Sequence, residues 1–502
     1  MPQGRHSTLL VRQYRELLLS LGMLLIGLAV PFLLMALLAC LFGERAVALP
    51  FLVTAAISAF PGVLLYLLLR KRELARLDYS EAGIVVVLIW LAASTLGALP
   101  FVFALKLPYL HALFETVSGL TTTGLSLVQV EEAPRAILLY RSLLQWLGGL
   151  GFAVVMVAAI IGPHAMGIYD VEGHGDKLLP HVKRSAGAIF IIYTVYTTLG
   201  ALALWLFKMP LFDAVNHSMC ALATGGFGTR MASIGYYDSL PIELTLVVLM
   251  LLGCTGFAVH MLLIQRRFKD FWRHPEPRTL FWSLSIGLVA LVWGLKTLGG
   301  IAFGQATREA LFNGVSAITG TGFGTVDFTA WPDYTLLVLS VLMTLGGGVG
   351  STAGGVKMYR VYLVARSIGW ELKRKLLPPR ATYLPYLWRQ GQKYFVSAQH
   401  LSEMHLFVLV YLSAWALGSL ILMGYGHSAA YSIFEFASAL GTVGLSVGIT
   451  SPAAPAGLLW TEILGMFLGR LEFFVVLVAG TRVIRDLRLI SKEQRALGKR
   501  PA

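Results

Sequence analysis

Charge is scarce in this chain of 502 residues: Asp, Glu, Lys and Arg make up 13% of it against 57% hydrophobic residues, and the mean hydropathy is +0.73. That poverty excludes a disordered chain and an ordinary soluble enzyme. Cysteine is scarcer still. Cys40, Cys220 and Cys254 all lie in apolar stretches, without the paired spacing of a disulfide framework or a zinc site. The order GxxxxGK[ST] of a phosphate-binding loop is missing. No cleavable leader is expected, because the first apolar run, 17–41, is too long for a signal core and has no small-residue cleavage site behind it. Lysine and arginine are thin in alternate loops, and 424–457 contains none.

What is present is length of apolar sequence. Ten runs approach or exceed the ~20 residues that cross a bilayer: 17–41, 51–69, 83–105, 136–162, 185–207, 240–264, 279–298, 334–368, 401–423 and 456–480. The expectation is an all-α integral membrane protein with ten transmembrane helices. The net charge of +14 gathers at Arg70-Lys71-Arg72, Lys183-Arg184, Arg266-Arg267-Phe268-Lys269, Lys373-Arg374-Lys375 and the tail from Arg482. These clusters alternate with the basic-poor loops, which places both termini in the cytoplasm and argues against a nucleic-acid partner.

Four polar breaks interrupt the apolar pattern. Aligned on a glycine followed by Leu or Phe, they end in Thr121-Thr122-Thr123-Gly124, Ala223-Thr224-Gly225-Gly226, Thr319-Gly320-Thr321-Gly322 and Gly441-Thr442-Val443-Gly444. Nine residues before the glycine stand Glu115, His217, Asn313 and Glu435. Five before it the residue is always small (Gly119, Ala221, Ala317, Ala439), and four before it always Leu or Ile (Leu120, Leu222, Ile318, Leu440). The anchor glycines lie 102, 96 and 122 residues apart. Each break sits between two long apolar helices, so the unit is helix, short re-entrant helix, polar strand, helix. Simple periplasmic turns rich in Gly and Thr would not need matching columns.

Threonine and glycine are poor helix material. Irregular backbone at membrane depth survives where it lines a protein-enclosed aqueous path. Extended Thr-x-Gly strands can turn consecutive carbonyls inward to replace a cation's hydration shell, and glycine allows the unusual φ this needs. Oxygen ligands without carboxylates suit a monovalent alkali ion better than Ca²⁺ or Mg²⁺. The negative C-terminal ends of the short helices favour a cation beneath them.

Two further features lie deeper. The run 334–368 is too long for one straight crossing and contains Gly346-Gly347-Gly348-Val349-Gly350-Ser351-Thr352-Ala353-Gly354-Gly355. Twelve helical residues from Tyr334 advance ~18 Å, so the break falls near the middle of a ~30 Å core. Close helix packing through small residues is the bland reading. Arg470 stands halfway along the last apolar run, where an arginine marks an ion pathway or a structural ion pair with Glu472 or Glu462. Lys357 ends the Gly-rich break, and its stem can snorkel to the cytoplasmic interface.

With Gln145-Trp-Leu-Gly-Gly149, Gly350-Ser-Thr-Ala-Gly-Gly-Val-Lys357, Gly469-Arg-Leu-Glu472 and the four breaks, the chain resembles the Trk/Ktr/HKT superfamily of K⁺ transporters over roughly residues 17 to 482. The two-helix preface and the segment from Ile168-Tyr-Asp-Val-Glu172 to Asp176-Lys-Leu-Leu-Pro180 are similar to the bacterial TrkH branch. The resemblance implies a preface at 1–78 and pore repeats with pseudo-fourfold symmetry at 79–184, 185–278, 279–400 and 401–482, before a basic tail at 483–502. It implies that the four tetrads are the K⁺ selectivity filter, that K⁺ is the transported ion, and that 346–355 is an intramembrane gating loop. Arg470 is then a barrier beneath the filter, with Lys357 a second candidate. Only Thr442-Val-Gly444 looks like the filter of potassium channels, and Gly225 and Gly320 are expected to loosen their strands. Gly124 stands where serine accompanies Na⁺ transport in the plant branch, which favours K⁺.

The implied partners are a second copy of the chain and a cytoplasmic nucleotide-binding RCK-type subunit (TrkA), in a bacterial inner membrane, with no organic cofactor. A Na⁺-permeable or Na⁺/H⁺-coupled symporter on the same fold is the rival function. A membrane enzyme would need converging buried His or acidic groups, and His217, Glu115 and Glu435 are scattered in sequence. Asp170, Glu172, His174 and Asp176 read as a solvated connector before a metal site. The basic connector 366–393 suits anionic lipid or a protein partner.

Overall fold

Two glycines bring the first two helices together. In the computed structural model α1 (Gly4–Leu41) and α2 (Arg45–Leu69) pair as a hairpin. A Cβ on Gly62 would lie 2.7 Å from the Gly22 carbonyl oxygen, so only glycine permits this approach. Ser58 adds a hydrogen bond to the Leu25 carbonyl at 2.8 Å. In the turn between them Glu44 accepts from the amides of Arg135 and Ala136, both at 2.9 Å. Those amides open α6 (Arg135–Gly149), so the preface caps a helix of the first repeat.

The structure describes residues 4–69, 79–151, 182–378, 383–389 and 392–497. The Ile168 to Pro180 segment, with Asp170, Glu172, His174 and Asp176, lies outside them, as does the second half of the 136–162 run. Between α2 and α6 come α3 (Tyr79–Gly97), α4 (Leu99–Leu105) and α5 (Tyr109–Leu120). The second repeat contains α7 (Val182–Leu206), α8 (Leu211–Leu222), α9 (Leu240–Cys254), α10 (Phe257–Ile264) and α11 (Phe268–Arg273). The third has α12 (Pro275–Thr297), α13 (Phe303–Thr319), α14 (Asp333–Leu345) and α15 (Met358–Leu376). The last has α16 (Ala398–Gly424), α17 (Ala429–Gly441), α18 (Ala456–Leu471) and α19 (Phe473–Leu497).

Among the described residues, six helices are long and apolar enough to cross a membrane alone, and eight spans result if each of two bent pairs counts as one. Their outward faces carry large exposed apolar side chains such as Phe60, Leu68, Leu206 and Val289, as lipid contact requires.

Three expectations are corrected. The runs 240–264 and 456–480 are not straight: α9 and α10 meet at 111°, and α18 and α19 at 101°. The first bend is made by Thr255 and Gly256 in extended backbone. The carbonyls it releases are satisfied by Thr255 Oγ1 on Leu251 (2.7 Å) and the His260 ring on Leu252 (2.9 Å). The second turns on Glu472, whose φ is +58°. Third, the chain is not purely helical. Tyr386–Arg389 and Gln392–Phe395 pair as antiparallel β1 and β2. The aromatic residues Tyr386, Trp388, Tyr394 and Phe395 favour this over a helix.

Candidate functional site

The four short helices α5, α8, α13 and α17 end alike. In each, the residue two before the anchor glycine donates three residues back: Thr122 to Gly119, Thr224 to Ala221, Gly320 to Ala317 and Thr442 to Ala439, at 3.0–3.2 Å. The next amide donates five back: Thr123 to Ser118, Gly225 to Cys220, Thr321 to Ser316 and Val443 to Ser438, at 2.8–2.9 Å. This is a Schellman termination, which needs a left-handed residue. Thr122 (φ 58°), Thr224 (51°), Gly320 (71°) and Thr442 (52°) supply it. The anchor glycines follow at φ 96°, 75°, 86° and 102°.

Two sequence expectations change here. The segments are not simply extended, since positive and negative φ alternate along them. Nor do Gly225 and Gly320 loosen their strands. Gly320 takes without strain the conformation that β-branched threonine takes at a cost elsewhere. Gly225 is packed against Gln145, whose carboxamide fills the space a Cβ would need.

The segments touch in chain order and close on themselves. A Cβ built on Gly124 would strike the Gly225 carbonyl oxygen, one on Gly226 that of Thr321, one on Gly322 that of Val443, and one on Gly444 that of Thr123. All four struck oxygens belong to the residue just before an anchor glycine. One column of the repeat therefore forms a ring of carbonyls. Each anchor glycine is partly exposed while both of its chain neighbours are buried, so the ring surrounds a narrow opening. Thr121, Thr122, Thr123, Thr224, Thr319, Thr321, Thr442 and Val443 have no exposed surface.

The column nine before the glycine shows what holds the ring. Glu115 accepts from the Leu127 amide (2.9 Å), and Glu435 from the Val447 amide (2.9 Å). Asn313 accepts from the Thr325 amide (3.2 Å). Each staples its helix to the chain three residues past the glycine. The second repeat differs: Asp213, one turn earlier than His217, takes Thr229 Oγ1 (2.8 Å) and Tyr237 Oη (2.9 Å). Burial, then the Asp213 hydrogen bond, push the Tyr237 hydroxyl above its usual range, whereas Thr229 acts in the other direction. The recurrent column signalled these residues, but sequence gave them no task. Arg141 was missed outright. It donates Nε to Glu115 at 2.7 Å, a pair nearly without exposure, and Nη1 to the Gly228 carbonyl at 3.0 Å and Nη2 to Ser126 at 2.9 Å.

A cavity of about 500 Å³ opens beside Gly322, Gly444, Ser233 and Asp327. The Thr329 hydroxyl and then its amide donate to Asp327, which holds that carboxyl below its usual range.

The Gly-rich stretch forms a loop between α14 and α15, tied to the end of α9 and to α12. Gly348 donates to the Cys254 carbonyl (2.8 Å), Thr352 to that of Gly253 (3.3 Å), and Val349 to Glu276 Oε1 (3.0 Å). Thr352 Oγ1 lies 2.9 Å from Thr224 Oγ1 and donates to the Leu222 carbonyl at 3.1 Å, which connects the loop to the ring above. Gly346, Gly350 and Gly355 carry positive φ. A Cβ on Gly354 would strike Thr442, and one on Gly347 would press on Ala353 and Ser351.

Arg470 reaches two carbonyls across this level, donating Nη1 to Thr352 and Nη2 to Gly148. Of the carboxylates expected as its partners, Glu472 pairs with Arg360 at 2.8 Å and Glu462 accepts from Thr450 at 3.0 Å. Lys357 does not snorkel away. Its Nζ turns back to the Ala353 carbonyl in the loop itself.

A ring of backbone carbonyls joined to a glycine loop and an arginine, among helices long and apolar enough to cross a membrane, defines a membrane protein that can offer backbone oxygens to a cation. Residues 50–485 match the family model described as TrkH, cation transport protein, and the chain belongs to that family. It is 34% identical over 487 residues to the Trk system potassium uptake protein TrkH of Vibrio parahaemolyticus, covering 93% of this chain and 98% of the relative. The TrkH protein of Salmonella typhimurium is also 34% identical, over 430 residues, covering 82% and 87%. The crystal structure of the potassium transporter TrkH from V. parahaemolyticus superposes with a TM-score of 0.82 at 31% identity, covering 93% of this chain and 98% of that one.

Proposed function

We propose that this chain takes up K⁺ across the cytoplasmic membrane through a gated, channel-like pore, as the membrane subunit of a Trk-type system. The filter is formed by Thr121–Gly124, Ala223–Gly226, Thr319–Gly322 and Thr442–Gly444 with Gly441, and the metal it binds is K⁺ in transit. Ten spans surround it, two in the preface and two in each of four repeats arranged with pseudo-fourfold symmetry. The observation that carries the reading is the ring of carbonyls from Thr123, Gly225, Thr321 and Val443 against the four anchor glycines. Backbone oxygens replace the water of a weakly hydrated ion without the charge that holds a divalent one. Asp327 at the outer cavity raises the local cation concentration.

The gate is the loop 346–355 with Lys357 and Arg470. Its hydrogen bonds to Gly253, Cys254 and Gly148 hold it across the path below the filter. The chain works as a homodimer in the inner membrane with both termini cytoplasmic, and a cytoplasmic RCK-type subunit acts on α15 and the loop it follows. The test is ⁸⁶Rb⁺ uptake by purified chain in liposomes with Na⁺, K⁺ or Cs⁺ as competitor. K⁺ is expected to compete at lower concentration than Na⁺. Equal competition by Na⁺, or uptake only under a H⁺ or Na⁺ gradient, supports the symporter instead.

A further inference from the structure

The second filter segment lacks a side chain where the other three have one. The residue before the anchor glycine is Thr123, Thr321 or Val443 elsewhere and Gly225 here. The vacant place is filled from outside the segment. Gln145, on α6 of the preceding repeat, is fully buried. Its Nε2 donates to the Gly225 carbonyl, and its Oε1 accepts from the Phe227 amide at 3.0 Å. Because a backbone N–H can only donate, the second bond fixes which way the carboxamide faces. A Cβ on Gly225 would collide with the Cδ, Oε1 and Nε2 atoms of that carboxamide.

Among the described residues, this clasp is seen at one junction. Three inner helices can be aligned on the glycine that packs against its own filter segment: Gly148 on the Leu120 carbonyl, Gly253 on that of Leu222, and Gly469 on that of Leu440. Three residues earlier stand Gln145, Met250 and Met466. Only the glutamine offers a donor and an acceptor. Among the described residues, no hydrogen bond reaches the carbonyls of Thr123, Thr321 or Val443, the other members of the ring.

We propose that Gln145 is the missing side chain of the second filter segment, supplied by the preceding repeat, and that it sets ion discrimination by fixing the Gly225 carbonyl. It is a positioning residue. A carbonyl that already accepts an N–H offers a cation a weaker field and less freedom to close around a smaller ion. Three mobile oxygens and one restrained oxygen then make up the layer, and the restrained one limits collapse onto Na⁺. This rests on the reading of the four segments as a filter.

Gln145→Met tests it, since methionine keeps the volume and already stands at the two aligned positions. The variant is expected to fold with an unchanged melting temperature within a few degrees. The ratio of Na⁺ to K⁺ concentrations that halve ⁸⁶Rb⁺ uptake should fall by about fivefold, as loss of one net hydrogen bond implies. Gly225→Ala alone should abolish uptake by collision, and Gly225→Ala combined with Gln145→Ala should recover at least a tenfold higher rate than Gly225→Ala. Unchanged discrimination in Gln145→Met, or a double variant no better than Gly225→Ala, overturns the proposal. Gly124→Ser run alongside separates the two readings. If it shifts discrimination and Gln145→Met does not, the clasp is wrong and the filter stands. If neither shifts it, the filter reading itself fails.

Discussion

The guanidinium of Arg470 donates to the carbonyl oxygen of Thr352, a residue 118 positions earlier in the chain, and its other nitrogen reaches Gly148. One side chain thereby joins α18, the Gly-rich loop and the end of α6 at a single level.

That junction gives Arg470 two effects of the same sign. A cation within ~4 Å of the guanidinium meets a repulsion of up to ~4 kcal/mol at an effective dielectric near 20, which slows passage by about a thousandfold if unrelieved. The same group also ties down the loop. Arg470→Ala is expected to raise basal ⁸⁶Rb⁺ uptake. Arg470→Lys should raise it less, because the charge stays although one ammonium cannot match the planar fork. A poorly folded, inactive Arg470→Ala protein, as loss of a structural ion pair would give, counts against the barrier.

The loop should respond to loss of its own anchors. Deleting several residues within 347–354 is expected to increase basal flux and reduce dependence on the cytoplasmic subunit. Glu276→Ala, which removes the acceptor for the Val349 amide, should shift flux in the same direction by a smaller factor. A folded deletion variant that conducts less than the parent would make the loop a support.

Gly124 carries φ +96° and faces the Gly225 carbonyl. Gly124→Ser is expected to lower K⁺/Na⁺ discrimination in competition uptake. It should also cost about 1–3 kcal/mol for the strained backbone, seen as a lower melting temperature. An unchanged ratio in a folded variant removes Gly124 from the filter.

Glu115 and Arg141 are a buried pair at 2.7 Å. Glu115→Ala leaves the guanidinium buried without its carboxylate, and a loss of about 3–5 kcal/mol is expected. Thermal denaturation in detergent reads this directly; a change under 1 kcal/mol would mean that Ser126 and the Gly228 carbonyl suffice for Arg141.

The apolar spans and the recurring breaks were legible because both are local patterns: run length, and residue types at fixed distance from a glycine. The bends at Thr255-Gly256 and Glu472 were not, since nothing near Glu472 in sequence marks a helix end, and the bent pairs are stabilised by partners such as Arg360, 112 residues away. The same holds for the ring's supports. The column of Glu115, Asn313 and Glu435 was visible, but its task appeared only once the chain past the glycine folded back. Gly225 read alone suggests slack, and only the position of Gln145, 80 residues earlier, shows that it makes room. Position 320 taught the converse: three threonines in its column hid a left-handed site that its glycine disclosed.

A ring assembled from identical subunits can be altered only four times at once. Here each oxygen of the layer comes from a different codon of one chain. The smallest heritable step is therefore a single ligand, and successive steps can grade the affinity of the ring for one ion over another. The four segments differ at the position before the glycine, as Thr, Gly, Thr and Val, and the ring closes with all four.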